Sequence, residues 1–128
     1  MKEPYWLTRE EALGLHELML SDYGGLEGVR DDNMLESALA KPRHKFDYGN
    51  PSMAELAASY AAGVVRNHPF LDGNKRTGFM LAAGFLERNG YAFSAPEADA
   101  AVRTLALAAG EMSEAACAAW LEANSKRR

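Results

Sequence analysis

The ten residues from Thr77 to Leu86 read Thr-Gly-Phe-Met-Leu-Ala-Ala-Gly-Phe-Leu, apolar on nearly every face. A helix that is apolar all round has to be buried, so other elements must wrap this segment. Directly before it stands a dense polar loop, His68-Pro69-Phe70-Leu71-Asp72-Gly73-Asn74-Lys75-Arg76. The loop therefore sits at the N-terminus of the helix that the pattern makes most buried. Helix N-termini carry unpaired N–H groups and partial positive charge, and they attract phosphates.

The wrapping elements can be read in order. Thr8-Arg9-Glu10-Glu11 is a capping box; it opens a helix with Ala12, Leu15, Leu18 and Met19 on its apolar side, ended by Gly24-Gly25. The lead from Met1 to Leu7 carries Trp6 as an edge piece. Leu26 to Arg30 links to a short helix capped by Asp31-Asp32, carrying Met34, Leu35, Ala38 and Leu39 and stopped by Pro42. Arg43 to Pro51 lacks a helical period and reads as a surface connection, with His44 a solvated loop histidine. Ser52-Met53-Ala54-Glu55 is a second capping box. Met53, Leu56, Ala57, Tyr60, Ala61, Val64 and Val65 then recur at helical spacing, and Pro69 blocks continuation past His68.

The central helix spans Asn74 to Arg88, with Gly90 as its stop. Gly78 and Gly84 each cost about 1 kcal/mol against alanine in a helix interior, which close approach of neighbouring helices would offset. Tyr91-Ala92-Phe93 is an extended link, and Pro96 opens a helix with the stripe Ala98, Ala101, Val102, Leu105, Ala106. Ser113-Glu114 starts a last helix with Ala116, Cys117, Trp120 and Leu121 inward; Ser125 to Arg128 reads as a frayed basic end. The expected fold is all-α, one domain over residues 1–128, with about six helices around the segment after Asn74.

Bulk properties narrow the partners. The net charge of −4 disfavours nonspecific nucleic-acid binding, so no DNA binding by the chain itself is expected. An anion site has to be local, as Lys75 and Arg76 would make it. Cys117 is the single cysteine, which rules out an intrachain disulfide and suits a reducing cytosol. No apolar run approaches the roughly 20 residues of a membrane span, and the start lacks a signal-peptide pattern. A soluble, cytoplasmic protein without membrane association is the expectation.

Within the loop, His68 is the side chain suited to proton transfer near neutral pH. Asp72 is a hard oxygen ligand of the kind Mg²⁺ accepts beside substrate phosphates. Gly73, Asn74, Lys75 and Arg76 form the turn where backbone donors and cations can meet an anion. Phe70 and Leu71 anchor the loop in the core. Singly, Asn74 reads as well as an N-cap, Lys75 and Arg76 as a solvated face, and His68 as a loop histidine. Their joint spacing is what favours chemistry.

That loop resembles the Fic/Doc family signature, H-P-F-x-D/E-G-N-x-R. Lys75, where AMP-transferring Fic enzymes usually carry Gly, is similar to the death-on-curing branch. Leu15-His16-Glu17, Tyr23 to Gly28 and Glu87-Arg88-Asn89-Gly90 extend the resemblance over nearly the whole chain. It implies a toxin of a type II toxin–antitoxin pair, a kinase that moves the γ-phosphate of ATP to a threonine of elongation factor Tu and halts translation. Carried over, His68 is the base, Asp72 the metal-linked acid, Gly73, Asn74 and Lys75 the phosphate-binding turn, and Arg76 the cation on the phosphate chain. ATP and Mg²⁺ are then implied, as is a Phd-like antitoxin that inserts a helix into a groove. The family also places a target-aligning flap near Arg43 to Pro51, which makes Lys45, Phe46 and Tyr48 candidate target contacts. Two alternatives stay open: AMP transfer to a protein hydroxyl, and a helical binding module without activity. Against AMP transfer stand Lys75 and Phe79, the latter where AMP-transferring members commonly have a second Arg. No kinase H-R-D, D-F-G or Walker A motif is present.

Overall fold

The computed structural model describes residues 2–128; Met1 lies outside them. Six helices occur in order: α1 (Arg9–Tyr23), α2 (Asp32–Asp47), α3 (Met53–Asn67), α4 (Asn74–Arg88), α5 (Glu97–Ala108) and α6 (Glu114–Ala123). Two short strands, β1 (Tyr91–Phe93) and β2 (Ser125–Arg127), complete the fold. It is all-α as expected, and both capping boxes form, Thr8 with Glu11 and Ser52 with Glu55.

The helix buried most completely is α3, where every residue from Leu56 to Val65 is buried, and not α4, whose Phe79, Met80, Ala83 and Gly84 are only partly buried. Its apolar stripe is one side of this; its alanines and Gly63 let helices close in on the others. A Cβ on Gly63 would stand 3.2 Å from Ala38 Cα, so α2 and α3 touch backbone to backbone. On another side, a Cβ on Gly78 of α4 would meet Ala61 O and Val65 Cγ1 at 3.1 Å. Close approach therefore accounts for Gly78. It does not account for Gly84, whose nearest neighbour would be Leu15 Cδ1 at an ordinary 3.5 Å.

Pro42 does not stop α2, which runs on to Asp47. A proline inside a helix costs roughly 3 kcal/mol, and tertiary contacts on both flanks outweigh it here. Pro42 itself is fully buried. Lys41 Nζ and Lys45 Nζ each lie 2.9 Å from Glu114, which Arg66 also approaches at 3.5 Å. Burial alone would raise the Glu114 carboxyl, but the hydrogen bonds from Lys41 and Lys45 overcome it and hold the group below its ordinary value. Phe46 packs edge-on against Trp6 at 5.6 Å, and Trp6 stacks on Phe85 at 6.0 Å. The segment from Arg43 is thus helical, with only residues 48–52 left as a connection, and His44 is exposed on a helix and not in a loop.

Other departures are local. Leu18 of α1 is 51% exposed while His16 is buried. On α6, Ala118 is buried and Ala116 exposed. The α5 stripe faces outward: Val102 and Leu105 are exposed, and the residues turned inward are Ala100 and Leu107. The C-terminal residues are not frayed. They form β2, antiparallel to β1, with Tyr91 opposite Arg127 and Phe93 opposite Ser125. Arg128 N–H donates to Gly90 O at 2.9 Å and closes the pair. Among the described residues no helix is long and apolar enough to cross a membrane.

Candidate active site

The loop between α3 and α4 is shaped by three devices. His68 ends α3 as its C-cap with φ 49° and ψ 55°, the left-handed region, and is the one non-glycine described residue with positive φ. That conformation costs about 1–2 kcal/mol for an L-residue, and such strain gathers at functional positions. Gly73 begins α4 at φ 76°. A Cβ there would overlap Met19 Cε of α1 at 1.8 Å, a contact the flexible end of the methionine can relieve, so it is the left-handed turn that favours glycine.

The third device is Asn74. Its Oδ1 accepts the Phe70 N–H at 3.0 Å and its Nδ2 donates to Phe70 O at 3.0 Å. The same Nδ2 lies 3.5 Å from His68 Nδ1. The Asn74 side chain thus pins the loop from within, and what it offers outward is its backbone N–H. Phe70 is buried as the loop's anchor, whereas Leu71 is 54% exposed and anchors nothing.

Asp72 carries its carboxylate at the rim. Oδ1 accepts Gly73 N–H at 2.9 Å and Oδ2 accepts Leu26 N–H at 3.2 Å. Behind it, His16 Nε2 lies 2.9 Å from Asp72 O, and its ring stacks on Phe70 at 3.9 Å with the planes 8° apart. The support from His16 and Met19 was not read from the sequence. One signal for it existed, a histidine within the apolar period of α1.

The six loop residues with chemically apt groups, His68 and Asp72 to Arg76, line one cleft of about 580 Å³. Within α4 the first paired N–H belongs to Thr77, bonded to Gly73 O at 3.0 Å. The N–H groups of Asn74, Lys75 and Arg76 therefore have no acceptor in the helix and form the anion-attracting terminus. The Lys75 and Arg76 side chains are exposed beside them, with Arg76 Cζ 3.9 Å from the centre of the Tyr23 ring. Lys45, Phe46 and Tyr48 do not line this cleft: Lys45 is bound to Glu114, Phe46 packs on Trp6, and Tyr48 is 90% exposed at the end of α2. A larger groove of about 830 Å³ adjoins the cleft, sharing Tyr23, Lys75 and Arg76 with it and walled by Phe79, Met80, Ala101 and Leu105.

As chemistry, the cleft sets an imidazole, a carboxylate and a cationic helix terminus around one space. A metal held here would take Asp72 as its protein ligand, since the described residues offer no cluster of three or more His, Cys, Asp or Glu side chains. That donor set fits Mg²⁺, which binds through one or two carboxylates and completes its shell with phosphate oxygens and water.

Known proteins resemble this chain over most of its length. The model of the Fic/DOC family matches residues 6–86. The chain is similar to the protein kinase Doc of Escherichia phage P1, 36% identical over 109 residues that cover 84% of this chain and 85% of the phage protein. It is also similar to the toxin Doc of Mycolicibacterium smegmatis, 36% identical over 93 residues covering 70% of this chain and 68% of that protein.

Proposed function

The chain belongs to the Fic/Doc family, and from that footing we propose that it is a Doc-type toxin that transfers the γ-phosphate of ATP to a protein hydroxyl, a threonine of elongation factor Tu. The observation that carries this is the single cleft lined by His68, Asp72, Lys75 and Arg76 at the free N-terminus of α4. The phage relative bears the name of a protein kinase, and the mycobacterial one that of a toxin.

The chemistry follows from the chain's own groups. The N–H groups of residues 74–76, with the Lys75 and Arg76 side chains, bind and orient the phosphate chain. His68 takes the proton of the acceptor hydroxyl as its oxygen attacks the terminal phosphorus, and ADP leaves. Fixed donors and cations in place before the reaction supply most of the acceleration. Asp72 would hold Mg²⁺, which would supply neutralisation of the phosphate charge.

Lys75 favours this over AMP transfer. Its side chain stands at the helix terminus, where a small residue would leave room for the β- and γ-phosphates of a nucleotide placed with its α-phosphate at the base. Phe79 packs against Phe93 and Trp120 at 5.7 and 6.3 Å, an aromatic where a second phosphate-binding arginine would be. Incubation with ATP labelled on the γ-phosphate labels elongation factor Tu under this reading, and ATP labelled on the α-phosphate leaves it unlabelled; the reverse pattern overturns it.

The toxin reading brings a Phd-like antitoxin with it. The outward apolar residues of α5, with Phe79 and Met80, give the groove the character that an amphipathic helix fits. A helix lying there would touch Tyr23, Lys75 and Arg76, which the groove shares with the cleft. Its binding would thereby block the phosphate site.

A further inference from the structure

The linker between α1 and α2 runs along the active loop in antiparallel register. Leu26 N–H donates to Asp72 Oδ2 at 3.2 Å, Leu71 N–H to Gly28 O at 3.1 Å, and Val29 faces Phe70 as an antiparallel bridge. Next along, the N–H groups of Arg30 and Asp31 both donate to Pro69 O, at 2.7 and 3.1 Å. The Arg30 side chain then completes the register. Its Nε donates to His68 O at 2.6 Å and its Nη2 to Asn67 O at 2.9 Å.

One residue thus holds three successive carbonyls, those of Asn67, His68 and Pro69. They need outside donors. The last carbonyls of a helix have no donor within it, and Pro69 brings no N–H of its own. The backbone is also least settled here. His68 is left-handed, and a following proline disfavours helical dihedrals in the residue before it. A guanidinium fork can meet two carbonyls at once, and its charge faces the negative end of α3.

We infer that Arg30 is a positioning residue for His68, fixing the peptide planes on both sides of the His68–Pro69 junction and so the direction of the imidazole. Arg30 is exposed, so its removal opens no cavity in the core. The inference rests on the proposed function only in taking His68 as the base.

The test compares Arg30→Gln and Arg30→Lys with the unaltered protein, each checked for fold by circular dichroism. The His68 ring resonance is read by NMR without substrate, and transfer from ATP to elongation factor Tu is measured alongside. The inference predicts one sharp ring signal in the unaltered protein and a displaced or broadened one in Arg30→Gln, with Arg30→Lys between them. It predicts a fall in kcat of about ten- to a hundredfold in Arg30→Gln with KM for ATP nearly unchanged, since misplacement of a catalytic group by about 1 Å can cost that much. An unchanged ring signal in Arg30→Gln overturns it, as does a rise in KM with kcat intact. Should Arg30→Gln fail to fold, Arg30→Lys decides alone, because lysine cannot hold both carbonyls: a displaced ring signal supports the inference and an undisplaced one overturns it. Absence of transfer by the unaltered protein refutes the proposed function, and the ring signal still decides the role of Arg30.

Discussion

Replacing Asn74 with Ala separates two roles that the sequence alone leaves together. If the Asn74 amide faced a bound phosphate, its loss would weaken nucleotide binding and leave stability alone. The structure instead makes it the partner of both backbone groups of Phe70, an acceptor at 3.0 Å and a donor at 3.0 Å, within a residue that is 1% exposed. Removal strands a buried N–H and a buried C=O. Each such group costs about 1–3 kcal/mol, so Asn74→Ala should lose about 3 kcal/mol. For a chain of this size, roughly 4 °C accompanies each kcal/mol, which places the melting temperature about 12 °C lower. Thermal and urea unfolding followed by circular dichroism measure this, with Lys75→Ala as the exposed comparison expected within about 0.5 kcal/mol. An Asn74→Ala protein that melts within about 2 °C of the unaltered one would refute the argument and return Asn74 to the phosphate.

The two glycines of α4 should respond oppositely to alanine. Gly84→Ala gains up to about 1 kcal/mol of helix propensity because the new Cβ meets only an ordinary contact. Gly78→Ala should lose stability despite the same propensity gain, since its Cβ would stand 3.1 Å from the Ala61 carbonyl; equal melting temperatures would contradict the close approach of α3 and α4. Glu114→Gln should destabilise by about 1 kcal/mol near neutral pH. The folded Glu114 carboxyl is held low, so its contribution is present above the ordinary carboxylate range and fades as pH falls through the lower folded value; a cost that persists at low pH would point to packing instead. Leu105→Asp should leave folding and phosphate transfer intact while weakening capture of a co-expressed antitoxin at least tenfold, read by calorimetric titration. Unaltered affinity would move the antitoxin off this groove.

The sequence was informative where the physics is local. Capping boxes form between residues three apart, so Thr8 and Ser52 marked the starts of α1 and α3 correctly. The loop from His68 to Arg76 is contiguous, so its residues could be gathered before any fold was known. The failures share a cause, which is partners distant in sequence. Pro42 reads as a stop until Glu114, far along the chain, is seen to hold Lys41 and Lys45 on either side of it. Ser125 to Arg127 reads as a loose end until Tyr91 to Phe93 offers it a strand to pair with. The α5 stripe has the right period, yet period cannot say whether a face meets core or an open groove. Asn74 has the right neighbours for phosphate, but its bonds to Phe70 are made across a loop that turns left-handed at His68 and at Gly73, on either side of Phe70. Arg30 carries no local signal at all, because its acceptors are the carbonyls of Asn67 and His68.

Whether His68 directs a hydroxyl to the terminal phosphate of ATP can be read from the mass of the product. Elongation factor Tu is incubated with ATP, Mg²⁺ and this protein, and its intact mass is compared with that from a parallel reaction using His68→Ala. A gain of one phosphate, about 80 Da, is expected with the unaltered protein and no gain with His68→Ala. A gain of one AMP, about 329 Da, or a phosphate gain that survives His68→Ala, would contradict it.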